Sequence, residues 1–413
     1  MKNFQLIVLL TFPLQSIAME ITSANLRSLL QEKNVRVAAA KLQTEAAEVR
    51  KGSLSRSFLP HLELYGSQES FKSGDQAHKE QPHYGAELTV NLYNGGRDKL
   101  QSEIRTLQHN KKTFQHMRVE SEELEKARTA YWQTLYNIEK ISLLKSSITI
   151  NDQNLKAADR RINSGVATAT DRIEFEMKAG ELKQEFDEAT LGLKVLVNTL
   201  AVFLDIDEPG EIVFSEKLNH EHDYESAIAH SPKDHAFLYK ENEIQYHVSR
   251  LEAANLGRTW LPKLEAFASY NQYNERAKEY PNATDRKESA VGVRLSLNLS
   301  SGFENSKEAD SLDKEALSSQ KIALQQKDEI ELHITNEMDE LELLHGQVHA
   351  AEENILRAEK YYKMTQSEYV RGVKNSPDVL GASEKLYVLK NKRNEIIRDF
   401  QLAKSHVLSK IGK

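Results

Sequence analysis

The chain has 413 residues and a net charge of −7, with 39% hydrophobic residues, 28% charged residues, 17 glycines, eight prolines and no cysteine. Few breakers beside many charges point to long, water-washed helices rather than a compact α/β core. Without cysteine there are no disulfides and no lipidated N-terminal thiol, and a negative balance with no dense Lys/Arg stripe argues against nucleic acid as a partner.

Residues 1–18 read as a Sec signal peptide: Lys2, then an apolar run from Phe4 to Leu14, then Ser16-Ile17-Ala18 as the cleavage signal. The competing reading is an N-terminal anchor, but the apolar run is short for a bilayer. A first structural repeat is expected over 19–210. It holds a helix from about Ser23 to Ser57, strands at about 58–67 and 84–93, a stretch from Arg97 to Ser164 without Gly or Pro, a turn, and a helix from Asp171 to Leu204. A helix over that uninterrupted stretch is roughly 100 Å long. The segment from Asp205 to Phe214 breaks the middle of the chain. A second repeat, 211–413, runs through a helix from Tyr224 to Arg258, strands at about 260–270 and 291–300, a long helix after Gly302, a turn, and a helix from Pro377 to Ile411.

The duplication is visible in the letters. Phe58-Leu-Pro-His-Leu-Glu63 matches Trp260-Leu-Pro-Lys-Leu-Glu265 at an offset of 202, and the strand beginning at Gly85 matches that at Gly292 at an offset of 207. Gly165 and Asp171 recur as Gly372 and Asp378, again at 207. In the strands, Ala86, Leu88, Val90 and Leu92 alternate with Glu87, Thr89 and Asn91, while Val291, Val293, Leu295, Leu297 and Leu299 alternate with polar residues or glycine. Such alternation makes one greasy and one wet face, equally suited to a membrane barrel or to a soluble hairpin on a core. Tyr65, Tyr84, Tyr93, Tyr270 and Tyr280 are expected near strand ends, as interfacial aromatics. In the long helices, apolar positions step by three and four through Leu124, Ala127, Tyr131 and Leu135, and through Val348, Ala351, Ile355, Ala358 and Tyr362. That narrow stripe requires helical neighbours.

No later stretch resembles a transmembrane helix, so entry into a membrane requires a β-barrel. Four strands cannot close one, so several chains have to complete it together. No nucleophile elbow, P-loop, dinucleotide fingerprint or paired-acid motif occurs, and no enzyme is expected. His345 and His349 stand at i,i+4, and His220-Glu221-His222-Asp223 is metal-plausible in composition. Without an HExxH pattern they read as packing or solvated residues, so no metal and no cofactor is expected.

The Leu59-Pro60 and Leu261-Pro262 strand starts, the segments ending at Gly96 and Gly302, and Tyr369-Val-Arg-Gly-Val-Lys-Asn-Ser-Pro-Asp-Val-Leu380 together resemble the TolC-like outer-membrane efflux proteins over essentially the whole mature chain. The resemblance implies a mainly α fold with a small β part. Each chain gives four strands to a 12-stranded transmembrane β-barrel completed by a homotrimer in outer-membrane lipid, and its helices give a long coiled-coil barrel in the periplasm. The implied function is the exit duct of a tripartite efflux or type I secretion system, working with a periplasmic adaptor (membrane fusion protein) and an inner-membrane pump or ABC transporter.

In that family the glycine turns close the periplasmic tip. The resemblance makes Gly165, Val166, Gly372 and Val373 turn and adaptor-docking residues. It places Asp378 at the pore entrance, though a helix N-cap role fits the same residue. It pairs Asp171 with Tyr369 and Lys374 as a latch. Lys374 replaces the family's arginine, losing a bidentate fork, and Gly381 stands where a second acid is common. The alternatives are a soluble periplasmic coiled-coil structural or adaptor protein, and a periplasmic metal-binding protein built on His220, His222, His345 and His349.

Overall fold

The computed structural model describes residues 19–52, 54–71, 79–207, 209–220, 237–273, 286–299 and 301–412. The expected signal peptide, Tyr280 and His222 lie outside these. The elements in order are β1 (Met19–Ile21), α1 (Leu26–Lys33), α2 (Val35–Arg50), a 3-10 turn (Leu54–Phe58), β2 (His61–Phe71), β3 (Lys79–Asn94), α3 (Arg97–Asn163) and α4 (Ala169–Phe203). They continue with a second 3-10 turn (Pro209–Glu211), β4 (Ile212–Phe214), α5 (Phe237–Leu256), β5 (Lys263–Tyr273), β6 (Arg286–Ser296), α6 (Ser301–Val370) and α7 (Ser376–Lys410). The chain forms two compact units: one from residues up to Ala39, Met117–Ala236 and Glu329–Lys413, the other from Ala40–His116 and Phe237–Asp328. Among the described residues no helix is long and apolar enough to cross a membrane.

In the first unit, β1 and β4 pair in parallel, Met19 opposite Ile212 and Ile21 opposite Phe214. The expected stripes are its core: Leu124, Ala127, Tyr131 and Leu135 of α3 pack in one buried cluster with Leu341, Val348 and Ala351 of α6 and Ile397, Phe400 and Val407 of α7. Where the sequence pattern runs as one helix from Ser23 to Ser57, the structure breaks at Asn34. Its backbone is extended (φ −69°, ψ 120°). Its side-chain oxygen accepts the Val37 N–H at 3.0 Å, and its amide donates to the Phe203 carbonyl at 2.9 Å. Asn34 thus caps α2 and ties the break to α4, serving backbone groups that a helix start leaves without partners.

The second unit holds an antiparallel sheet in the order β2-β3-β5-β6. Its strands reach further from the helices than the alternation suggests, and β6 ends at Ser296 rather than near 300. As a result Tyr65, Tyr84 and Tyr270 lie inside the strands and only Tyr93 lies near an end; Tyr65 faces Gly85 and Tyr270 faces Ala86. The register lines up the apolar positions of all four strands. Leu62, Leu88, Ala268 and Val291 form one cross-strand row, and Val90, Ala266 and Val293 another. Leu62, Leu64, Leu88, Val293 and Leu295 are exposed, and Val291 is 86% exposed. The other face is polar and internally paired. Arg294 bonds Glu87 at 3.0 Å and lies over the Phe267 ring, and the Tyr65 hydroxyl donates to Asn271 at 2.6 Å.

Candidate functional site

The two duplicated turns meet within the first unit. α3 ends in a Schellman motif: the Val166 N–H bonds the Arg161 carbonyl at 3.0 Å and the Gly165 N–H bonds that of Ile162 at 2.9 Å. α6 ends the same way, Val373 N–H to Glu368 carbonyl and Gly372 N–H to Tyr369 carbonyl, both at 2.9 Å. This motif needs a left-handed residue, and Gly165 (φ 74°) and Gly372 (φ 84°) supply it. A Cβ on Gly372 would touch Val166 Cγ1 at 3.4 Å, so the two turns pack on each other; a Cβ on Gly165 would meet nothing within 4 Å. Val166 and Val373 are both exposed.

Below the turns lies a small buried cluster including Ala158, Phe175, Tyr362, Tyr369, Val379 and Ala382. Phe175 and Tyr369 meet edge to face with centroids 6.0 Å apart. The Arg161 guanidinium lies 4.1 Å from the Tyr369 ring centroid, a cation–π contact, and also donates to the Lys374 carbonyl at 3.2 Å. Burial holds the Tyr369 hydroxyl above its ordinary pKa, with Arg161 opposing and Asp171 reinforcing that shift.

Asp171, in the first turn of α4, takes its side-chain hydrogen bond from the fully buried Ser376 rather than from Tyr369. The Ser376 Oγ lies 2.5 Å from Asp171 Oδ1 and 2.6 Å from Glu174 Oε2. One hydroxyl carries one proton, so it donates to one carboxylate at a time. Asp171 and Tyr369 are therefore neighbours across the cluster, with Arg161 as the cation beside the tyrosine. Lys374 instead lies 3.9 Å from Asp378, both side chains 42% exposed, a contact of little energetic weight. Asp378 Oδ2 also accepts the Asn375 N–H at 3.2 Å at the start of α7, the helix-capping role that its position allows. Arg161, Glu174 and Ser376 escape the sequence reading. Their only signals are acids and hydroxyls at helix starts and one member of the Arg160-Arg161 pair, all common on surfaces.

The histidines are also placed. His220, His345 and His349 come together, with one ring nitrogen from each lying within 4.8 Å of the others.

Residues 26–174 match the family model described as outer membrane efflux protein. No curated protein matches the chain in sequence. Solved structures share its fold over nearly its whole length. CusC, described in terms of folding and transmembrane channel formation, superposes with a TM-score of 0.79 at 11% identity, covering 96% of this chain and 93% of CusC. The outer membrane protein VceC of Vibrio cholerae gives 0.74 at 12% identity, with 94% and 96% covered. The CmeC outer membrane channel of Campylobacter jejuni gives 0.75 at 13% identity, with 94% and 85% covered. Residues 26–174 are thus similar to the outer membrane efflux protein family, and nearly the whole chain shares the fold of solved outer-membrane channels.

Proposed function

We propose that three copies of the chain complete a 12-stranded barrel in outer-membrane lipid and form the exit duct of a tripartite efflux or type I secretion system, gated at the paired turns. The observation that carries this reading is the sheet. It ends in two edge strands, β2 and β6, and presents an uncovered apolar face opposite an internally paired polar one. Open edges and lipid are incompatible, since each unpaired backbone group in hydrocarbon costs several kcal/mol. Pairing β2 of one copy with β6 of the next removes both edges.

At the turns, Asp378 contributes an acidic ring at the aperture while also capping α7. A ring of acids attracts cations and repels anions. Asp171 is the centre of the latch. It is held through Ser376 from the second turn, with Tyr369 and Arg161 packed alongside and Lys374 at the rim. Gly165, Val166, Gly372 and Val373 form the docking surface for a helical hairpin of a periplasmic adaptor, behind which stands an inner-membrane pump or ABC transporter.

Membrane fractionation followed by native mass spectrometry and planar-bilayer recording tests the duct. The expected result is an outer-membrane trimer that conducts. A monomer recovered wholly from the soluble periplasm would overturn it in favour of a soluble coiled-coil protein. For docking, deletion of residues 371–375 is expected to abolish cross-linking to the adaptor; intact cross-linking would remove the turns from that role.

A further inference from the structure

We propose that His220, His345 and His349 form a binding site for one borderline divalent transition-metal ion per chain, zinc(II) being the probe of choice, and that the ion fastens the segment after β4 to α6. His345 and His349 are one turn apart on α6, a spacing that sets both rings on one face. His220 reaches them from a different part of the chain, 125 positions away in sequence. The rings stand tilted or edge to face: centroids are 4.9 Å apart for His345 and His349, 5.5 Å for His220 and His345, and 5.6 Å for His220 and His349.

The donor nitrogens already lie within 4.8 Å of one another. A tetrahedral ion with metal–nitrogen bonds of about 2.0–2.1 Å needs them about 3.4 Å apart, a closure that small side-chain rotations provide. Phe400 walls one side, 6.3 Å from His220 and 6.4 Å from His345. His220 and His345 are half-buried and His349 is exposed. The site therefore has a solvent side, through which an ion enters and on which water completes its coordination.

The backbone leading to His220 is held independently of the rings. Glu216 accepts from the Tyr131 hydroxyl at 2.6 Å and from the Ser23 N–H at 3.1 Å. Leu218 is buried, and the Asn219 carbonyl accepts from the Gln401 amide at 2.8 Å. A third ligand delivered by a fixed backbone loses little freedom on binding, which is the condition for a usable site.

The donor set selects the ion. Three imidazoles suit zinc(II), nickel(II) or copper(II). Calcium and magnesium require oxygen donors, and copper(I) favours the thiolates and thioethers that this triad lacks. The rival account is that the three rings and Phe400 are aromatic packing alone.

The test uses the mature chain, without a histidine tag, purified in detergent and stripped with chelator. Calorimetric titration with zinc sulfate is expected to give one ion per chain. His349→Ala, at an exposed position that tolerates truncation, and His220→Ala are each expected to weaken binding at least tenfold. His333→Ala, elsewhere on α6, is expected to leave it unchanged. In the same samples zinc is expected to slow hydrogen exchange over residues 212–220 in the wild type and not in His349→Ala. Absence of saturable binding by the wild-type chain, equal binding by all variants, or zinc-insensitive exchange at 212–220 would each overturn the proposal.

Discussion

Replacing the turn glycines one at a time separates two explanations of why the chain uses glycine twice. At φ 74° and 84°, an alanine is held in the left-handed region at a cost of about 1–2 kcal/mol. The steric setting differs between the sites: an added Cβ meets nothing at Gly165 and reaches only ordinary contact with Val166, at 3.4 Å, at Gly372. Conformation alone therefore sets the cost, and Gly165→Ala and Gly372→Ala should be equally harmful. The loss falls on the bonds that close each motif, Val166 N–H to Arg161 carbonyl and Val373 N–H to Glu368 carbonyl. Peptide-resolved hydrogen exchange on the detergent-solubilised protein reads them directly. A cost of 1–2 kcal/mol corresponds to local exchange faster by about 5- to 30-fold. Asparagine tolerates the left-handed region, so Gly165→Asn and Gly372→Asn should recover most of the protection. An asparagine as damaging as alanine, or Gly372→Ala damaging while Gly165→Ala is silent, would show that close packing, not backbone conformation, demands glycine here.

Three further outcomes follow from the same contacts. Ser376→Ala removes the hydroxyl shared by Asp171 and Glu174. A hydrogen bond to a charged group is worth about 1.5–3 kcal/mol, so the open state should gain at least tenfold in planar-bilayer recordings, and unchanged conductance would remove Ser376 from the latch. Val293→Arg sets a charge on the uncovered apolar face, at a cost of about 2–4 kcal/mol if it lies near mid-bilayer. Trimer yield from outer membranes should fall sharply, whereas Arg294→Ala, on the polar face, should assemble normally; equal yields would mean that the apolar face does not meet lipid. Burial, reinforced by Glu216, raises the Tyr131 pKa above its unfolded value of 10.0. A raised pKa stabilises the fold fully below the unfolded value and is lost as pH climbs above it. Thermal stability should therefore decline above about pH 10, less steeply in Tyr131→Phe; identical alkaline profiles would contradict the assignment.

What was legible in the letters was what local physics forces. A left-handed turn requires glycine, so Gly165 and Gly372 stood out, and their common offset exposed the duplication. Period-two alternation survives in the structure because the register of β2, β3, β5 and β6 stacks its apolar positions on one face. The three- and four-residue stripes of the long helices likewise supply buried positions, split between two clusters, with Ile355 partly buried beside the second. The features that escaped depend on residues distant in sequence. Asn34 looks like any polar residue within a helix until its amide meets the Phe203 carbonyl. Arg161 resembles its surface neighbour Arg160 until Tyr369 covers it. A three-residue strand such as β1 carries too little pattern to be seen alone. The i,i+4 pair of His345 and His349 is visible in sequence, but only the fold brings His220 to it.

The duplication also explains why the site is lopsided. Shifted by 207, Ile162 becomes Tyr369 and Phe175 becomes Ala382, while Arg161 becomes Glu368. One of the two pseudo-equivalent crossings thus holds a Phe175–Tyr369 pair under a guanidinium; the other has only Ile162 and Ala382 to offer. Likewise Ala169 becomes Ser376 and Glu174 becomes Gly381, so the hydroxyl-to-carboxylate link runs only from the second turn to the first. The shared backbone motif preserves both turns, because each needs its glycine and its two closing bonds whatever the side chains do. Side-chain divergence then concentrates large rings, cation, acids and hydroxyl on one crossing. If the proposed gate works at these turns, one strong and one weak crossing give it a preferred place to separate: the crossing without the aromatic pair and the serine link is the one expected to open at lower cost.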